Sequence, residues 1–231
     1  MKVGFTGLDI PEGKSKYQDP QLNALAEKDK PQKISPFFVN FLKNEYSNSD
    51  AIVIAEDSIL DILILDMDKI EGRMNRIENQ NEIKLFEKCL SHLELEQPLC
   101  DINFTEDEHE ILKELAPHSY KPLVQIKEKY EINNIIELVL AKTSSMFFYT
   151  SGPSESHAWL VPKGSDIVSC ASKIHSDLAR GFIKGDVVSY SDYMNCHNFN
   201  DCKSKGVARM VDRDYIVQPN EIIEIRFNVS N

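Results

Sequence analysis

Met146-Phe147-Phe148-Tyr149, closed by Ser151-Gly152-Pro153, and His157-Ala158-Trp159-Leu160-Val161, closed by Pro162-Lys163-Gly164, are two short apolar runs, each stopped by turn residues. Their simplest pairing is a β-hairpin. Ser165 then stands where a helix N-cap is expected, and Ile167, Ala171, Ile174 and Leu178 follow at the four-three-four spacing of one buried helical face, with Gly181 as the stop. Beyond Gly181, three further runs read as strands: Asp186-Val187-Val188-Ser189-Tyr190, Asp214-Tyr215-Ile216-Val217 and Ile222 to Phe227, with Pro219-Asn220 as the last turn. One helix laid across a small mixed sheet is the outline of a ubiquitin-like β-grasp, and residues 147–231 are expected to form it.

Working outward, the chain has 231 residues, 42% of them hydrophobic, which suffices for one large or two small domains with a real core. No apolar run approaches the roughly 18 residues of a membrane span. The start, Met1-Lys2-Val3-Gly4-Phe5, lacks the long apolar core of a secretory leader, so a cytoplasmic protein is expected. Five cysteines, an odd number without close pairing, favour reduced thiols over a disulfide framework. The net charge of −11 is concentrated in residues 56–118, which carry 6 Lys and Arg against 17 Asp and Glu. Such a surface repels phosphate backbones, which disfavours direct contact with nucleic acid through that segment.

Lys2-Val3-Gly4-Phe5-Thr6 reads as a first strand, followed by Gly7-Leu8-Asp9-Ile10-Pro11-Glu12-Gly13-Lys14-Ser15. A phosphate-cradling loop needs the spacing G-x-x-x-x-G-K-[ST], with a helix starting at once behind it so that successive N–H groups converge on one phosphate. Here five residues separate Gly7 from Gly13, and helix signals resume only at Asp19-Pro20-Gln21. Two readings stay open: an ordinary connecting loop, or a residual nucleotide loop using Gly7, Gly13, Lys14 and Ser15. Phe37 to Leu42 and Ala51 to Ala55 are buried-strand runs. Leu63, Met67, Ile70, Met74 and Ile77 then recur at helical spacing, Glu78 to Asn81 break the pattern, and Ile83, Phe86, Leu90 and Leu93 resume it. This spacing predicts a helical hairpin in which Met67, Met74 and Cys89 are packing residues. Thr105-Glu106-Asp107-Glu108 reads as a capping box.

The strings Phe147-Phe148-Tyr149-Thr150-Ser151-Gly152-Pro153, His157-Ala158-Trp159, Ile174 to Ile183, Asp214-Tyr215-Ile216-Val217 and Arg226-Phe227-Asn228-Val229 closely resemble the C-terminal TGS-type domain of the YchF/Obg-like ATPase family. Asn195 to Cys202 depart from that pattern, which implies a reshaped loop. The resemblance extends to the rest of the chain. It implies a reduced P-loop-like α/β domain in residues 1–55 and 119–146, a helical arm inserted as 56–118, and a TGS-like domain from 147. The family's P-loop helix and first switch are missing. Its magnesium-serving D-x-A-G is matched by Lys43-Asn44-Glu45-Tyr46, and its base-reading N-x-x-E by Glu128-Lys129-Tyr130-Glu131.

A cation cannot replace a carboxylate as a metal ligand. The expectation is therefore a non-hydrolytic binding or regulatory protein with no catalytic residue, no metal ligand and no cofactor assigned. By resemblance its partner is the ribosome or a translation-associated protein, and the acidic charge of residues 56–118 favours contact with a basic protein face over direct contact with RNA. The alternative is an ATP- or GTP-binding P-loop NTPase using magnesium and the loop from Gly7 to Ser15. Cys196, His197 and Cys202 lack a second ligand pair at zinc-site spacing, and a thiol-based sensor at Cys196 and Cys202 is the third, weaker option. Cys170 and Trp159 read as core, and His175 and Asp177, near a helix C-terminus, are assigned no acid–base role.

Overall fold

The computed structural model describes residues 1–127 and 130–228. In chain order its strands are β1 (Lys2–Thr6), β2 (Gly13–Lys16), β3 (Lys33–Ser35), β4 (Phe38–Lys43), β5 (Ala51–Ala55), β6 (Leu123–Ile126), β7 (Ser145–Ser151), β8 (Glu155–Pro162), β9 (Phe182–Val188), β10 (Arg209–Val211) and β11 (Ile222–Phe227). Its helices are α1 (Pro20–Asp29), α2 (Ile59–Met74), α3 (Gln80–Leu93), α4 (Glu106–Leu115), α5 (Ile132–Lys142), α6 (Ile167–Ile174), α7 (Ser176–Arg180), α8 (Tyr190–Met194) and α9 (Phe199–Ser204). The result is an α/β protein with two sheets in two compact units. The first comprises Met1–Ser15 with Phe38–Thr143, the second Lys16–Phe37 with Ser144–Asn231.

In the first unit the sheet order is β2-β4-β1-β5-β6. β1 pairs in parallel with β4 and β5, and β5 in parallel with β6. Central parallel strands are covered on both faces, which is why Ala51-Ile52-Val53-Ile54 is apolar without alternation and fully buried. One core joins Ile52, Ile54 and Leu123 of the sheet to Ile62, Leu63 and Ile70 of α2, Leu85, Phe86, Cys89 and Leu93 of α3, and Leu112 of α4. Residues 56–118 thus share the sheet's own core. Met67 and Met74 pack at its margin, while the buried line on α3 runs through Leu85 and Cys89 and leaves Ile83 half-exposed. The capping box forms: Glu108 N–H donates to Thr105 Oγ1 at 3.3 Å and Thr105 N–H to Glu108 Oε2 at 2.8 Å. Asp66, wholly buried on α2, accepts the N–H groups of His118 and Ser119 at 2.6 and 2.7 Å.

In the second unit the order is β10-β9-β11-β7-β8-β3. β7 and β8 form the expected hairpin, with Phe148 opposite Trp159. The last strand, β11, lies parallel to β7 and antiparallel to β9. α6 buries Ile167, Cys170 and Ala171 in a core with Met146, Phe148, Val187 and Ile223, and Trp159 packs against it half-buried.

Three local expectations are corrected. The helix cap is Asp166, whose Oδ1 accepts the Val168 and Ser169 N–H groups, while Ser165 lies one residue outside. The helix does not run through to Gly181. His175 is extended (φ −163°, ψ 141°) and caps a separate short turn, α7. Asp214 to Val217 is no strand, because Ile167 N–H and Val217 N–H are tied across to Tyr215 and Ser165 as an isolated bridge; β10 takes the place beside β9 instead.

Residues 16–37, read from the sequence as part of the N-terminal domain, pack in the second unit. Tyr17 stacks on Phe147 with ring centroids 5.7 Å apart, Leu22 and Leu25 of α1 are fully buried, and Tyr149 donates its hydroxyl to Asp19 at 2.9 Å. β3 then runs parallel to β8, pairing Lys33 with Glu155 and Ser35 with His157.

Candidate functional site

In open parallel α/β sheets, ligands bind outside the carboxyl ends of the strands. The first unit has a cavity of about 480 Å³ there, lined by Gly7, Leu8, Asp9 and Ile10 after β1, Ala55, Glu56 and Asp57 after β5, Ile126, Lys127 and Tyr130 after β6, and Ile135 of α5. Gly7 has φ +70°, and a Cβ there would lie 2.6 Å from Ser58 Oγ, so this turn needs glycine. Leu8, Ile10, Ile126, Tyr130 and Ile135 form apolar walls. The charged lining is Asp9, Glu56 and Asp57 against Lys127, whose ammonium is paired with Glu56 at 2.8 Å.

Of the four candidate nucleotide-loop residues Gly7, Gly13, Lys14 and Ser15, only Gly7 lines this cavity. Gly13, Lys14 and Ser15 lie in β2, at the outer edge of the sheet beside β4, with Lys14 exposed. Their backbone is extended, and the next helix begins at Pro20. Lys43 ends β4 opposite Phe5, and neither it nor Asn44, Glu45 and Tyr46 reaches the cavity lining. Tyr130 does, whereas Glu128 and Lys129, like Val229, lie outside the described residues. Asp9, Glu56 and Asp57 were not singled out from sequence, where the signal available was their position just past a predicted core strand; Ile126 at the end of β6 and Ile135 on α5 carry no such signal.

In the second unit Asn195 to Cys202, the stretch that departs from the family pattern, links α8 to α9 and forms the start of α9. Cys196 and Cys202 are buried there, and burial together with the neighbouring Cys196 pushes the Cys202 thiol up to about 12, which keeps it protonated. Among the described residues no group of three or more His, Cys, Asp or Glu is arranged to hold a metal ion, and no helix is long and apolar enough to cross a membrane.

A sheet with parallel central strands and a crevice at its carboxyl edge, in a chain that also carries a second, mixed sheet, defines an α/β protein with two sheets. Residues 146–228 match the family model YchF-GTPase_C, described as "Protein of unknown function (DUF933)". The chain is 28% identical to the ribosome-binding ATPase YchF of Mycoplasma genitalium over 78% of its own length and 46% of that protein's. It is 24% identical to the Bacillus subtilis protein of the same name (74% and 65%), and 34% identical to Obg-like ATPase 1 of Danio rerio (46% and 28%). It thus spans less than two thirds of the length of each. The structure of the Schizosaccharomyces pombe YchF GTPase shares the fold, with a TM-score of 0.78 at 16% identity, covering 98% of this chain and 97% of that one. Residues 146–228 thus match the YchF C-terminal family domain, and over about three quarters of its length the chain is similar to YchF/Obg-like ATPases.

Proposed function

We propose that this chain is a non-hydrolytic, cytoplasmic member of the YchF/Obg-like family that acts by binding the ribosome or a translation-associated protein, its second unit serving as a TGS-like β-grasp. The observation that carries this reading is the placement of Gly13, Lys14 and Ser15 in an edge strand. Phosphate capture at such a loop depends on N–H groups converging at a helix start. In β2 the backbone groups alternate in direction along an extended chain, and no helix dipole stands behind Lys14. The cavity lining points the same way. Asp9, Glu56 and Asp57 outnumber Lys127, which Glu56 already engages, so the donor set does not fit a polyanionic triphosphate. Partner binding rests on the relatives, two of which are named ribosome-binding ATPases. The acid-rich helices of the first unit favour a basic protein face over RNA.

The test pairs two measurements on the full chain. Calorimetric titration with magnesium-ATP and magnesium-GTP to millimolar concentration is expected to show no binding. Gradient co-sedimentation with ribosomes is expected to show association that added nucleotide leaves unchanged. Magnesium-dependent binding abolished by Lys14→Ala would support the second reading, an ATP- or GTP-binding NTPase, which the names of the relatives favour. Failure to co-sediment would remove the proposed partner.

A further inference from the structure

The loop between β4 and β5 turns back on itself, and its carbonyl groups face inward. Three of them, Tyr46 O, Ser47 O and Ser49 O, converge on a single atom, the Lys121 Nζ just before β6, at 2.7, 2.6 and 2.8 Å. An ammonium has three N–H donors, and these three acceptors use all of them. The rest of the loop is closed around that point. Ser49 Oγ donates to the Glu45 carbonyl, which lies against Gly4 so closely that a side chain there would strike it. Asn44 N–H donates to Phe5 O and Asp50 N–H to Lys2 O. The Tyr46 ring packs edge-on against His118, three residues before Lys121.

Carbonyl oxygens gathered on one point make a site for a hard cation, since each points the negative end of its dipole at the centre. We propose that the 46–49 loop is such a cation site, filled from within the chain by the Lys121 ammonium, which locks the loop in one conformation. Lys121 is a positioning residue, since it acts through the loop. Burial draws its pKa below the usual lysine range, against Asp50 and together with Lys69, yet an ammonium holding three carbonyls stays charged at neutral pH. The consequence deepens the functional reading above and rests on it. The segment that follows β4 is held by a fixed charge on β6's approach, so it does not rearrange when nucleotide is offered.

The test is hydrogen exchange across residues 44–50 in the full chain. In Lys121→Ala the segment is expected to exchange at least tenfold faster than in the unmodified protein while β1 and β5 keep their protection. Ammonium chloride at 0.1–0.5 M is expected to restore protection, and sodium chloride at equal ionic strength is not. In Lys121→Met, whose side chain fills the space, ammonium is expected to do nothing. Unchanged exchange in Lys121→Ala, or loss that ammonium does not reverse, overturns the proposal. Should the variants fail to fold, lysine-selective nitrogen labelling of the unmodified protein decides it. One ammonium signal exchanging markedly more slowly than those of the other lysines is expected, and its absence is equally fatal. Adding magnesium-ATP separates the two readings, because nucleotide binding without a change in 44–50 refutes the functional proposal and leaves the lock intact.

Discussion

Gly7 and Asp186 each turn local geometry into a measurable quantity. Gly7→Ala places a methyl group 2.6 Å from Ser58 Oγ and 2.9 Å from Ala55 Cβ, on a backbone at φ +70°. Strain of this kind costs about 1–3 kcal/mol, to be read from urea unfolding. Asp186, almost fully buried on β9, titrates below its ordinary 3.8. Burial alone would raise it, but Arg226 donates to both its oxygens, at 2.7 and 2.9 Å, and Lys203 lies 3.2 Å away. A carboxylate lowered in the folded state contributes stability that is present above pH 3.8 and disappears as the pH falls through the lowered value. Arg226→Met is therefore expected to lower the melting temperature at pH 7, and the gap between variant and parent to narrow below pH 3.8. A gap independent of pH would show that Arg226 contributes through packing instead.

At the level of elements, Thr105→Ala removes one half of the box that opens α4, and a loss of about 1 kcal/mol is expected in thermal unfolding. That box was legible in sequence because its partners are three residues apart. The β7–β8 hairpin was legible for a similar reason: alternation and turn residues are local. What escaped reading was decided at a distance. Ile174 and Leu178 keep helical spacing across His175, so nothing in the pattern announces the extended residue that separates α6 from α7. Asp214 to Val217 alternates as a strand should, but its bonds go to the start of α6. The over-long loop after β1 was plain from its spacing. That Gly13 to Lys16 would lie down as an edge strand was not, since Gly-Lys-Ser-Lys has little intrinsic strand preference and owes its conformation to β4.

For the whole molecule, the decisive finding is that the second unit takes residues 16–37 from far upstream. The matched region, 146–228, should consequently be inadequate alone. It would leave bare the surface of β7 on which Tyr17 and α1 pack, and burying Leu22 and Leu25 is worth roughly 1.5–3 kcal/mol each. Residues 144–231 expressed by themselves are expected to bind a hydrophobic dye and melt broadly, and a fusion carrying 16–37 to unfold in one sharp transition. A sharp transition in the shorter fragment would refute this. Sequence reading placed 16–37 elsewhere because Leu22 and Leu25 announce a buried helix face without naming what buries it.

The same upstream segment finishes the sheet. β3 is three residues long, bounded by Pro31 and Pro36, and carries Lys33 outward. A sheet that ends on a long, flat, apolar strand offers a ladder onto which other chains can stack. Here the outermost rung is too short, too charged and too closely hemmed by prolines to be extended, so the region that covers β8 also makes the protein resistant to self-templated fibre growth along that side.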